Sequence, residues 1–390
     1  MLAAALVAAC SIPAAATGVF RAIDEASLRI VQRGSLSLPR GFTGPGGAEV
    51  PLTGLSGITR LDDDRYAAVL DNSDVVVLFR LSIDDEGVPV DASDFRLLTL
   101  DERHDHEDLC PCPPLLAQRL SGRGVGDDEA LRGDCLLVCE EDTPAVRGVS
   151  LADGATLGML PLPGPLRAPQ HNRGLESLAV DPDGRHVWTT TEEGIPADGP
   201  PPSDTAGTVV RIARLAIGDD GTIDESDTRQ FGYPADQPPG FVRVFAGVPL
   251  SGVTAIAALG TGRLLVLERS GCPGLPPFEA RIYLVDTAAA SDVSDVEKDL
   301  AARRDRLLTK RLLWKEQTGS NLEGLCLGPE LPGGGRSLLA VSDNGGLGTP
   351  TQLVGLVLDE QDRDARTPFA VGMGLVACAV VIARGGRRPR

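Results

Sequence analysis

The chain has 390 residues, 42% hydrophobic and 24% charged, with a formal net charge of −18. That balance is globular, sized for one large domain or two modest ones, and it lacks the basic footprint that nucleic acid requires. Aromatic residues are scarce, and Gly (46) and Pro (30) are abundant, so the chain reads as turn-rich, with a core of Val, Leu, Ile and Ala.

Taken in chain order, residues 1–25 form an export segment. "MLAAALVAACSIPAAATG" is apolar and rich in small residues, with a cleavage site at Ala16 or, alternatively, a lipoprotein box that would lipidate Cys10. A strand follows in "SLRIVQRGSLSLP", Ser27 to Pro39. Then a hairpin pattern recurs. Its clearest copy is "NRGLESLAVDPDGRHVWTTTEEG", a strand, an Asp-Gly turn and a second strand, with Glu176 at one tip and Glu192 at the other. Relatives cover Gly54–Asp74, His106–Asp142 (with an insertion), Ser251–Gly271 and Asn321–Gly346. The terminal acids Asp71, Glu140, Glu192, Glu268 and Asp343 lie 69, 52, 76 and 75 residues apart.

Two further strands follow each of the first four hairpins, but only "TQLVGLVLDE" follows the fifth. The N-terminal strand supplies the missing one, pairing with Gln352 to Leu358. The predicted fold is therefore all-β: a β-propeller of five four-stranded blades over residues 26–359, closed by an N-terminal strand, which removes exposed sheet edges. A sixth blade has room only in the irregular stretch Ile223–Val248. A helix is predicted over Ser291–Lys310, inserted into the fourth blade. Residues 360–390 read as a linker, an apolar anchor (Phe369 to Ala383) and a basic tail, "RGGRRPR", placed inside by the positive-inside rule.

In an antiparallel hairpin the start of one strand lies beside the end of the next. Glu176 should then lie beside Glu192, Glu323 beside Asp343, and Glu107 beside Glu140. Applied to every blade, this gathers Asp71, Glu107, Glu140, Glu176, Glu192, Glu268, Glu323 and Asp343 at one mouth of the channel. Carboxylates so close raise one another's pKa, pair with arginines such as Arg173 or Arg269, or take up a hard cation, Ca2+ first.

The motifs "NRGLESLAVDPDG…VWTTTEE", "LLVLERS", "NLEGLCL…LLAVSDNGG" and "TQLVGLVL" resemble the phytase-like family described as "esterase-like activity of phytase". The resemblance runs from about Leu28 to Leu358. It implies a secreted propeller related to calcium-dependent phosphomonoesterases. It also implies a site drawn from Asp105 and Glu107, from Asn172, Arg173 and Glu176, from Glu192, from Glu268 with Arg269, from Glu323, and from Asp343 with Asn344. On this reading Glu107, Glu176, Arg173 and Glu323 act on the substrate, while Asp71, Asp105, Glu140, Glu192, Glu268 and Asp343 hold the metal. The chain has only three lysines, Lys298, Lys310 and Lys315, all near the predicted helix. Phosphate would have to be gripped by arginine, which suits bidentate contacts.

Other chemistries find less support. There is no G-x-S-x-G elbow, and four histidines (His104, His106, His171, His186) leave few candidates for a serine triad. His104 and His106 alternate onto one strand face without a third ligand. No dinucleotide fingerprint or P-loop is present. For an exported chain, Cys110 and Cys112 are expected to be oxidised with Cys135 and Cys139, and Cys272 with Cys326; the alternative for the first four is a thiolate zinc site. The expected function is metal-assisted hydrolysis of a phosphate or other small-molecule ester by a membrane-anchored monomer in the cell envelope or outside the cell. The alternative is a non-catalytic envelope-binding or scaffold propeller.

Overall fold

The structure, a computed structural model, describes residues 28–70, 73–101, 106–121, 135–141, 143–167, 174–203, 205–239, 251–272, 275–343 and 349–360. The export segment 1–25, Cys10, the anchor 369–383, the basic tail and the stretch 240–250 therefore lie outside the described residues. No helix among the described residues is long and apolar enough to cross a membrane.

Twenty-two strands build five four-stranded antiparallel blades and one small hairpin. The chain enters through β1 (Leu28–Ser37) and the hairpin β2 (Gly41–Thr43) and β3 (Glu49–Pro51). Blade one is β4 (Leu55–Arg60), β5 (Arg65–Leu70), β6 (Val75–Ile83) and β7 (Pro89–Thr99). Blade two is β8 (His106–Pro111), β9 (Cys135–Glu140), β10 (Ala145–Ser150) and β11 (Thr156–Leu160), with helix α1 (Pro114–Leu120) between its first two strands. Blade three is β12 (Leu175–Val180), β13 (His186–Thr191), β14 (Val209–Ile217) and β15 (Ile223–Pro234). Blade four is β16 (Ser251–Gly260), β17 (Arg263–Gly271), β18 (Phe278–Asp286) and β19 (Lys310–Thr318). Blade five is β20 (Leu322–Glu330), β21 (Arg336–Ser342) and β22 (Gln352–Glu360), completed by β1.

β1 pairs antiparallel with β22 from Leu28↔Glu360 to Ser37↔Gln352, so the expected closure is present. The first residues of the irregular stretch, from Ile223, are the outer strand β15 of blade three rather than a sixth blade.

The inner strands β4, β8, β12, β16 and β20 each touch the next around the ring, and β20 returns to β4. The apolar core is divided among the five gaps between blades. Val69 and Val76 meet Leu136 and Val138 between blades one and two, and Cys139 and Val146 meet Leu175 and Val187 between two and three. Trp188 and Ile212 meet Ile256 and Val266 between three and four. Leu265 and Ile282 meet Leu338 and Leu356 between four and five, and Leu339 and Val341 meet Ile58 and Tyr66 between five and one. Both faces of a blade are thus buried, which is why its strands read as continuous apolar runs.

The glycines of the recurring motif allow the inner strands to approach. A Cβ on Gly57 would lie 2.4 Å from Asp108 Oδ1 in the next blade, and one on Gly252 would lie 2.7 Å from the carbonyl oxygen of Glu192. No side chain fits there.

The predicted helix over Ser291–Lys310 is not formed. The segment is coil with two short 3-10 turns, Leu300–Ala302 and Arg304–Arg306, and Lys310 already opens β19. Tertiary partners outweigh helix propensity here. The wholly buried guanidinium of Arg211 pairs with Asp198 at 2.6 and 2.7 Å and donates to the carbonyls of Val293 and Val296, which an α-helix would use internally. Asp292 turns the chain further by accepting from the backbone of Ser294 and of Gln230.

The six described cysteines are free and buried, so the expected disulfides are absent. Cys272 follows β17 of blade four, while Cys326 packs between blades five and one. Among the described residues no three sulfurs lie within 4.8 Å of one another, so a thiolate zinc site is not formed either. Cys112, just past β8, does lie opposite Cys135 of β9, its backbone N–H donating to the Cys135 carbonyl at 3.0 Å.

Candidate functional site

The inner ends of the blades converge on a cluster of carboxyl groups around one arginine. Glu176, the second residue of β12, is buried. Burial first, and then the charges of Glu107, Glu192, Glu141 and Glu323, push its pKa well above the ordinary carboxyl range. Those neighbours come from blades two, three and five, so antiparallel pairing brings them to one mouth as expected. The positive member is Arg269 of β17, buried between blades. Its Nη2 donates to Glu323 Oε1 at 2.8 Å and lies 3.3 Å from Glu192 Oε1. Burial opposes its charge, but Glu192, Glu323, Glu176 and Asp343 outweigh that and raise its pKa. Asn321 Nδ2 donates to the same Glu323 Oε1 at 2.6 Å, and the backbone N–H of Asp343 donates to the Asn321 carbonyl at 2.8 Å.

Of the expected site residues, Glu107, Glu176, Glu192, Glu323 and Asp343 come together. Asp71, Asp105, Asn172, Arg173, Asn344 and His104 lie outside the described residues. Glu140 and Glu268 are corrections, and both fail for the same reason. Successive side chains of a strand point to opposite faces. In β9, Leu136 and Val138 face blade one, and Glu140 follows them, pairing with Arg147 of its own blade. The next residue, Glu141, points the other way and accepts from the Gly174 backbone of blade three at 3.1 Å. In β17, Val266 faces blade three, and so does Glu268. It accepts from the Tyr233 hydroxyl at 2.6 Å, from Lys310 Nζ at 2.5 Å and from the Asp236 backbone at 3.1 Å. Leu265 and Leu267 face blade five, and Arg269 inherits their direction toward the mouth.

The mouth residue missed by sequence reading is therefore Glu141, for which strand parity was the signal. Asp108 was missed as well. It is enclosed between blades and accepts from the backbone of Leu109 and of Leu178, each at 2.8 Å. Burial, which those two hydrogen bonds only partly offset, pushes its pKa well up.

A hard cation fits the mouth by donor chemistry. The ligand atoms are carboxylate oxygens, and Glu192 Oε1 is a buried oxygen that makes no hydrogen bond, though it is ion-paired with Arg269 Nη2 at 3.3 Å. Among the described residues, the three-residue group with ligand atoms within 4.8 Å is elsewhere, in the β12–β13 turn: Asp181, Asp183 and His186. There Asp181 is already engaged by His186 Nδ1 at 2.9 Å and Trp188 Nε1 at 3.0 Å.

A five-bladed propeller with an acidic channel mouth is thus the class of protein defined by fold and site. The family model described as "Esterase-like activity of phytase" matches residues 50–346, and the chain belongs to this phytase-like family. No curated protein matches the sequence. Among solved structures, the major Malassezia sympodialis allergen Mala s 1 is similar at 11% identity and a TM-score of 0.36, over 79% of this chain and 94% of that one. The tail fiber of Staphylococcus aureus phage P68 matches at 11% identity and a TM-score of 0.36, over 83% and 52%. The Myceliophteria thermophila Cps50 (Swd1) β-propeller domain matches at 10% and 0.32, over 79% and 71%.

Proposed function

We propose that the acidic mouth is a cation-dependent site that hydrolyses a small-molecule phosphate or other ester. The observation that carries this reading is the burial of Glu176 among Glu107, Glu141, Glu192 and Glu323, with the Arg269 guanidinium beside them. So many carboxyl groups in one desolvated space call for protons or cations. Glu107, Glu141, Glu176 and Glu192 would hold a cation of the calcium class, with Asp343 beside them. Bound there, it would neutralise phosphoryl or carbonyl oxygens and activate water.

The chain's own residues supply orientation and charge. Glu192 and Glu323 fix the Arg269 guanidinium in one direction, and its Nε is buried with no hydrogen-bond partner. That spare donor suits an anionic oxygen of the substrate. Glu176 holds a proton while no cation is near and yields it when one arrives, so cation uptake should strengthen with rising pH. Export and a C-terminal membrane anchor belong to the same reading. They are supported by the apolar opening of the sequence and by its apolar close followed by "RGGRRPR".

The test pairs thermal unfolding in calcium with a panel of phosphomonoesters and simple carboxylic esters. A cation at one hundred times its dissociation constant should add ~2.7 kcal/mol of stability. Glu176→Gln and Glu323→Gln should weaken that gain and the turnover, whereas Asp219→Asn, in an exposed turn, should not. An unchanged midpoint in calcium, magnesium and zinc, with no turnover, would leave a non-catalytic binding propeller.

A further inference from the structure

Away from the mouth, a cleft of about 660 Å³ opens between the outer strands of blades three and four. One wall is the coil leaving β15, Pro234 to Pro239; the other is made by β18 and β19. Two of the chain's three lysines, Lys310 and Lys315, line it together with Arg281 and Tyr283. Its floor is built and buried. Glu268 is held by Tyr233, by Lys310 and by a backbone N–H, and the Lys310 ammonium lies 4.9 Å from the Tyr233 ring centre and 4.1 Å from that of Tyr283.

Lys310 therefore contacts two carboxylates, and it shares the first, Glu268, with Arg281, whose Nη1 lies 3.7 Å from it. Glu268 is fixed and 1% exposed. The other, Asp236, belongs to the coil and lies 2.7 Å from Lys310 Nζ, with its side chain 41% exposed. It also accepts from the Tyr283 hydroxyl. Burial opposes its charge, yet the hydrogen bonds from Lys310 and Tyr283 hold its pKa below the usual range. Asp236 thus occupies a ready anion site from a segment outside any strand. Beside it the wall is apolar: Pro238, Pro239 and Leu312, the last 46% exposed.

We propose that this cleft binds a small organic anion, an acid group on an apolar body. The acid group replaces the Asp236 carboxylate on Lys310 and the Tyr283 hydroxyl, and the body lies against Leu312 and the two prolines. Lys315, half-exposed at the side of the cleft and paired there with Glu279 at 2.9 Å, adds a further cation beside Arg281. The exchange leaves no buried charge alone, because Glu268 stays on Lys310 throughout.

The experiment titrates the full chain with benzoate by calorimetry, with phenyl phosphate and inorganic phosphate as companions. Benzoate and phenyl phosphate should saturate one site, and inorganic phosphate should bind at least tenfold more weakly. Asp236→Ala, which removes the resident carboxylate, should tighten benzoate about tenfold, equivalent to 1.4 kcal/mol. Leu312→Asp and Lys315→Gln, both at partly exposed positions, should each weaken it tenfold or more. Glu323→Gln at the mouth should leave benzoate affinity unchanged, which separates this site from the hydrolytic one. Absence of saturable benzoate binding to both the native chain and Asp236→Ala would overturn the proposal. So would binding that ignores Asp236→Ala and Leu312→Asp, or that follows Glu323→Gln.

Discussion

Glu176 shows how a single carboxyl group can tie stability to pH. In an unfolded chain it titrates near 4.5, while in the fold burial and the four surrounding carboxylates raise it well above that. Between those two values the folded state binds the proton more tightly, so this group's contribution is complete below about 4.5 and is lost as pH rises through the raised value. Asp108 acts in the same direction through burial. Without divalent cations, the native protein should therefore lose stability from pH 5 to pH 8. Glu176→Gln should lose less and should be the more stable of the two at pH 8. Denaturant midpoints at the two pH values measure this; equal losses in both proteins would show that the Glu176 proton does not matter to folding.

At the scale of the element, strand parity decides what each acid does. Glu140 and Glu141 are neighbours of the same charge, yet one pairs with Arg147 within blade two and the other reaches the mouth. The recurring motif was legible in the sequence because hairpin, turn and glycine repeat together. Which of two adjacent side chains faces the channel was legible only in part: strand parity signals it, but the phase is set by where each strand twists and bulges. Shifts in register do occur in β8 and β12 beside the mouth, between His106 and Asp108 and between Leu175 and Ser177. The motif glycines belong to this scale too. Gly252→Ala would place a methyl group 2.6 Å from Glu192 Cγ and 2.7 Å from the Glu192 carbonyl oxygen. Displacing backbone at that contact should cost about 1–3 kcal/mol and move Glu192 relative to Arg269. A lower urea midpoint with an unchanged slope would register the cost; a native-like midpoint would mean the inner strands are looser than the contacts imply.

Over the whole molecule, the five inter-blade cores form a closed circuit, and β1 is the element that completes it. Leu28 and Ile30 pack into the layer between blades four and five, while the β1 backbone covers β22 along nine paired positions. Removing residues 1–37 should leave β22 as an open apolar edge. The shortened chain is expected to self-associate and to lose its single cooperative transition. Sedimentation and thermal unfolding would show both effects, and a monomer with native cooperativity would mean that the ring holds without its latch.

The sequence by itself determined a propeller of four-stranded blades, five by direct count with room for a sixth, its latch strand, and the gathering of Glu107, Glu176, Glu192, Glu323 and Asp343 at one mouth. Those features follow from local periodicity and from antiparallel pairing, which are written along the chain. Only the tertiary structure decided which of the mouth acids Arg269 pairs with, that Glu268 belongs to a separate outer cleft, and that the 291–310 segment is coil. Each of these turns on partners distant in sequence, such as Glu323 for Arg269, Tyr233 for Glu268, and Arg211 for the carbonyls of Val293 and Val296. A buried charge settles where a counter-charge and hydrogen bonds are available, and local pattern does not encode that.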